Sequence, residues 1–221
     1  MARTVAGLVS RTAVSSVGGT PLATRDIAPE PWILTRHSQD DGFDQIAGRH
    51  RIFLDAISPR GAGEALTYAN NFQVASRQGY PLGEADTAIV ICLRHRATPF
   101  AFSDATWAKY GAIMTDRSRF TDPKTDAAPA INVYPASTDG MQLPNRGKTF
   151  IEAARHRVHF AACDLSRRAL AGLAAERMHV TAASVHAELR ASMHANPHTV
   201  PAGVAAVDRA QERRYSVAHS G

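Results

Sequence analysis

Residues 87–93 read TAIVICL, an uncharged run with three consecutive β-branched residues, Ile89, Val90 and Ile91. A strand that carries apolar side chains on both of its faces is buried on both, which is the situation in a parallel sheet covered by helices. The segments on either side support that reading. Upstream, residues 51–57 (RIFLDAI) form a second strand candidate, followed by SPRGAG as a turn. A helix is expected over 64–78, with Leu66, Ala69, Phe72 and Val74 on one side, and a GYPLGEAD loop then leads into residue 87.

Downstream, residues 103–110 read as a short helix with Ser103 as its N-cap. Residues 115–148 carry most of the central Pro, Asp and Asn content and keep no period, so they are expected to be an irregular insertion with a short strand at 131–134. The pattern then resumes with a helix over 147–155, a strand over 158–162, a helix over 165–176 and a helical stretch over 182–193. A strand at 199–200, a Pro-Ala-Gly turn, a helix over 204–213 and a strand over 215–219 close the chain. Alternation of β and α with short connections predicts an α/β fold with a mainly parallel sheet of about five strands and right-handed crossovers. Residues 1–44 are an N-terminal extension or arm, and residues 45–221 are the α/β domain carrying the insertion.

Of 221 residues, 44% are apolar and 20% charged, which excludes a disordered chain, and no apolar run approaches the ~20 residues of a membrane-spanning helix. The arginines are scattered along the chain, usually near an Asp or Glu, with only three lysines (Lys109, Lys124, Lys148) and no basic block interleaved with aromatics. A nucleic-acid surface is therefore not expected. Two cysteines, Cys92 and Cys163, make no disulfide framework and no CxxC, and they suit a reducing compartment, here the cytoplasm. Residues 1–26 are basic and free of acid before Asp26, as in targeting segments, but Arg11 interrupts the apolar stretch. Periplasmic export through a degenerate signal is the alternative.

The chemistry-bearing stretch is RHRVHFAACDLSRRAL, residues 155–170, which places a lone Cys163 where a strand passes into a helix. The first turn of a helix offers unpaired N–H groups and partial positive charge that stabilise a thiolate. The competing reading is a small apolar residue ending a buried strand. Ligands of parallel sheets collect beyond the carboxyl ends of the strands. Three such ends are expected side by side: residues 56–60 with Arg60, residues 94–99 with Arg94 and His95, and Cys163. A histidine near a cysteine adjusts its protonation, and arginines bind an anionic substrate. The ten histidines do not form a metal-ligand pattern, since Pro197 interrupts His194 and His198. Gly61-Ala62-Gly63 matches no dinucleotide or phosphate-loop fingerprint, and no cofactor is expected.

Three separated segments resemble the DsrE/DsrF-like family, specifically its longer bacterial members: LRHRATPFAFSDATWAKYG (93–111), VHFAACDLSRRALAGLA (158–174) and VPAGVAAVDRAQERRYSVAHS (200–220). The resemblance covers about residues 45–220. It implies a flavodoxin-like three-layer sandwich and assembly into homo-oligomers, trimers or hexamers. In sulfur-relay members a cysteine after a central strand carries a persulfide and passes sulfur to a partner protein, and by position that residue is Cys163. The chain departs from that pattern in having CDLSRR in place of the glycine-rich surroundings of the relay cysteine, in its 115–148 insertion, and in an N-terminus without the twin arginine that many longer members carry. Two functions follow as expectations: a sulfur carrier or sulfurtransferase using Cys163, His95, Arg94 and Arg60, or a noncatalytic accessory subunit docking through the arm and the insertion. A small-molecule binder at the same sheet edge is the third.

Overall fold

Five parallel strands lie side by side in the order β4-β3-β2-β1-β5. They are β1 (His50–Ala56), β2 (Thr87–Leu93), β3 (Val158–Cys163), β4 (Pro197–Val200) and β5 (Ser216–Ser220). The computed structural model describes residues 41–123, 125–135, 143–194 and 197–221. Apart from the single turn α1 (Asp41–Asp44), the N-terminal extension lies outside them. The helices that follow are α2 (Pro59–Gly79), α3 (Asp104–Ser118), α4 (Phe150–Arg155), α5 (Asp164–Met178), α6 (Ala182–Ala191) and α7 (Gly203–Glu212). No helix among the described residues is long and apolar enough to cross a membrane.

The strand order dictates the layers. Steps from β1 to β4 all move one way, so right-handed crossovers put α2 to α6 on one face, and the return to β5 puts α7 on the other. Side chains alternate along each strand accordingly. Leu54, Ile89, Ile91, Leu93, Val158, Phe160 and Ala162 join the large core under the first layer, with Leu66, Trp107, Phe150, Leu170 and Leu189. Phe53, Ala88, Val90, Cys92 and Ala161 face the smaller core beneath α7, with Ala206, Ala210 and Tyr215. Every residue of β2 is buried, as its unbroken apolar sequence requires. The parallel α/β sheet is the one the residue pattern predicts, and its three layers form a flavodoxin-like sandwich.

Two local expectations are corrected. The SPRGAG segment is the first turn of α2: the Ser58 hydroxyl accepts the Gly61 N–H at 2.9 Å, and Pro59 at the first helical position has no N–H to leave unpaired. Gly61 is there for space, since a Cβ would lie 2.1 Å from the Ser220 carbonyl oxygen. Residues 131–134 are not a strand. Their polar groups pair with side chains instead: the Asn132 amide donates to the carbonyls of Phe100 and Phe102, each at 2.8 Å. The Asn132 N–H goes to Asp104 and the Tyr134 N–H to the Asn132 side-chain oxygen. The insertion is thereby stitched to the start of α3, and α3 itself runs to Ser118, beyond the expected 103–110.

Candidate functional site

The reversal of strand order falls between β1 and β5, and a row of polar groups crosses the carboxyl edge of the sheet from there to β3. Asp55, the penultimate residue of β1, is fully buried. A carboxylate in such a place is costly unless partnered, and it has two side-chain partners, Arg94 and His219. Arg94, immediately after β2, donates from Nε to Oδ1 at 2.6 Å and from Nη2 to Oδ2 at 2.7 Å, a two-pronged ion pair. His219 of β5 places Nδ1 2.8 Å from Oδ2, with its side chain 68% exposed. The adjacent Ser220 hydroxyl donates to the Asp55 carbonyl.

On the far side of Arg94 lies Cys163. It ends β3 and caps α5, and its Sγ accepts the N–H of Ser166 at 3.4 Å. A second N–H reaches the same sulfur from Gly203, the first residue of α7, at 3.3 Å. The start of α5 and the start of α7 therefore converge on one atom. Gly203 makes this approach feasible because the Arg94 stem passes directly over it: a Cβ there would lie 2.3 Å from Arg94 Cδ. Cys163 is 5% exposed. The residue after it, Asp164, is held by Arg167, Arg168 and His186, and the nearly buried Arg167 also reaches Thr199, so α5, α6 and β4 are fastened together around the cysteine.

The second cysteine and the remaining expected residues, His95 and Arg60, are placed as follows. Cys92 sits under α7, fully buried; burial first, and then the Asp55 charge, push its thiol far above the ordinary range. His95 has its backbone in the left-handed region (φ 54°) and donates its N–H to the Ser166 hydroxyl at 3.2 Å. Its ring makes no hydrogen bond to Cys163 among the described residues. Desolvation, followed by the charges of Arg117, Arg96 and Arg94, lowers its pKa, which favours the neutral imidazole. Arg60 is exposed, pairs with Glu64 at 2.6 Å, and lines a separate cleft together with Arg119 and Arg146. Thus Arg94 and Cys163 are brought together, His95 reaches the first turn of α5 through its backbone, and Arg60 stands elsewhere.

Sequence reasoning missed Asp55, His219 and Gly203. Asp55 had a signal, being the only acidic residue inside the apolar strand RIFLDAI. Gly203 and His219 had none, because their roles depend on which strand ends become neighbours. No protein-family model, curated protein or solved structure matches the chain.

Proposed function

We propose that this chain is a DsrE-like sulfur carrier in which Cys163 takes up sulfane sulfur as a persulfide and hands it to a protein partner. The observation that carries the reading is the double donation to Sγ from the starts of α5 and α7. An anionic sulfur at that point meets two N–H dipoles and two helix N-termini. The Arg94 guanidinium beside it, held in place by Asp55, adds a fixed positive charge for an anionic donor. Arg60, in the neighbouring cleft, is the second anion-binding residue of this reading.

The transfer balances without an oxidant. The Cys163 thiolate attacks the outer sulfur of a donor persulfide R–S–SH; the new S–S bond forms as the donor's breaks, and R–S⁻ leaves and takes up a proton. An acceptor thiolate then attacks the outer sulfur of the Cys163 persulfide and releases Cys163 as thiolate. His95, whose backbone N–H bonds the Ser166 hydroxyl in the first turn of α5, is the residue this reading assigns to adjust the protonation of Cys163.

Exposed apolar side chains support a protein as acceptor. Leu165, 60% exposed, and Val204, 70% exposed, directly follow the two residues flanking the sulfur, Asp164 and Gly203. Both cysteines are free, which fits a cytoplasmic site, and the family resemblance favours a trimer or hexamer, a point that native mass spectrometry decides. The function is tested by incubating the protein with a low-molecular-weight persulfide and measuring intact mass beside Cys163→Ser. A gain of one sulfur atom that the variant lacks supports the carrier; no adduct on the native protein rejects it.

A further inference from the structure

Beside the first turn of α2, lined by Ser58, Pro59 and Arg60, is an open cleft of about 780 Å³. That is the size of small-molecule sites generally. Three arginines line it from three separate segments: Arg60 at the start of α2, Arg119 at the C-cap of α3, and Arg146 in the turn before α4. Its remaining wall is largely apolar, with Phe120, Tyr134 and Leu143 contributing. Among the described residues no carboxylate lines it, and only Arg60 of the three has an acidic partner, Glu64. Asp55, Arg94, Cys163 and His219 take no part in it.

We infer that this cleft binds an organic anion with an apolar body, a carboxylate, phosphate or sulfonate attached to an aromatic or alkyl group. Arginine's planar fork matches the oxygens of such anions, and Arg119 and Arg146 have no acidic partner among the described residues. The apolar end then lies against Phe120 and Leu143, where it loses water-exposed surface. Tyr134 is rigid in this arrangement, since its hydroxyl donates to the Pro59 carbonyl at 2.9 Å and its ring packs on Phe100 and Phe150. A bare inorganic anion would use only half of the site. The inference stands apart from the sulfur-carrier reading: the two share only Arg60, and this one rests on Arg119 and Arg146 and needs no thiol.

The test is a fluorescence titration of the full chain with 8-anilino-1-naphthalenesulfonate, an aromatic sulfonate, followed by displacement with phenyl phosphate, phenol and inorganic phosphate. Saturable binding is expected, with phenyl phosphate displacing the probe at lower concentration than either of the others. Replacing Arg119 and Arg146 together by Ala should weaken binding about tenfold or more, as loss of charge-assisted hydrogen bonds predicts. Arg146→Gln alone gives the same readout should the double variant fail to fold. Absence of saturable binding, unchanged affinity in the folded variant, or displacement by phenol as effective as by phenyl phosphate would each overturn the assignment. Cys163→Ser should bind the probe like the native protein, which separates this outcome from the fate of the persulfide experiment.

Discussion

The backbone N–H of Gly203 donates to the sulfur of Cys163 at 3.3 Å, joining the first residue of α7 to the last residue of β3. The bond is compatible with Arg94 only because residue 203 has no side chain. Gly203→Ala would drive a Cβ to 2.6 Å from Arg94 Cβ and 2.3 Å from Cδ. The arginine has to move, and its pairing with Asp55 is disturbed. A loss of about 1–3 kcal/mol is expected, in the range of other overpacked interiors, measured as a lower urea midpoint.

The two thiols should separate cleanly in native alkylation. Cys92 is fully buried and held as a thiol by burial and by Asp55, so iodoacetamide should leave it unmodified until the protein unfolds. Cys163, capping α5, should be the residue modified in peptide maps. Labelling of Cys163 at neutral pH no faster than in a denatured control would count against a nucleophilic role.

Breaking the Asp55 cluster should cost more than its surface neighbours suggest. Asp55→Ala leaves Arg94, whose side chain is 26% exposed, without its counter-ion, while Arg94→Ala leaves a fully buried carboxylate with His219 as its remaining side-chain partner. Removal of one partner from a buried pair typically costs about 3 kcal/mol or more. A double-mutant cycle read by chemical denaturation should show strong coupling, and additive single effects would refute the pairing.

Asp164 adds a pH signature. Burial pushes its carboxyl up, but hydrogen bonds from His186, Arg168 and Arg167, with the Arg167 charge, outweigh this and hold it at about 2, against an ordinary 3.8. A carboxylate depressed on folding contributes stability above its unfolded pKa, and that contribution is lost as pH falls through the folded value. About 2 kcal/mol should therefore disappear between roughly pH 4 and pH 2. In Asp164→Asn the urea midpoint should change less over that window than in the native chain; parallel curves would remove Asp164 from the account.

The sheet was legible because burial writes itself into sequence. TAIVICL could only be a strand covered on both faces, and the structure gives Thr87–Leu93 as expected. SPRGAG misled because Pro and Gly punctuate turns, whereas here Pro begins a helix and Gly61 admits the Ser220 carbonyl. Residues 131–134 misled because β-branched Ile131 and Val133 look like a strand, while the Asn132 amide between them takes over the hydrogen bonding. At the site, Cys163 and Arg94 were found because each lies at the end of a recognisable strand. Arg60 was grouped with them because strand ends alone do not say which side of α2's first turn an exposed side chain takes. His219 and Gly203 are meaningful only once the order β4-β3-β2-β1-β5 is known, and no local pattern states that order.

That order also governs when the protein can become itself. The first strand pairs with the last, Ile52 beside Ser216 and Ala56 beside Ser220. During synthesis, β1 has β2 soon after it emerges, yet its other side waits for nearly the whole chain. Through that interval Asp55 lacks His219, and one long edge of the nascent sheet stays open. Ribosomes stalled before residue 216 should therefore hold a β1 whose outer edge remains open to proteolysis.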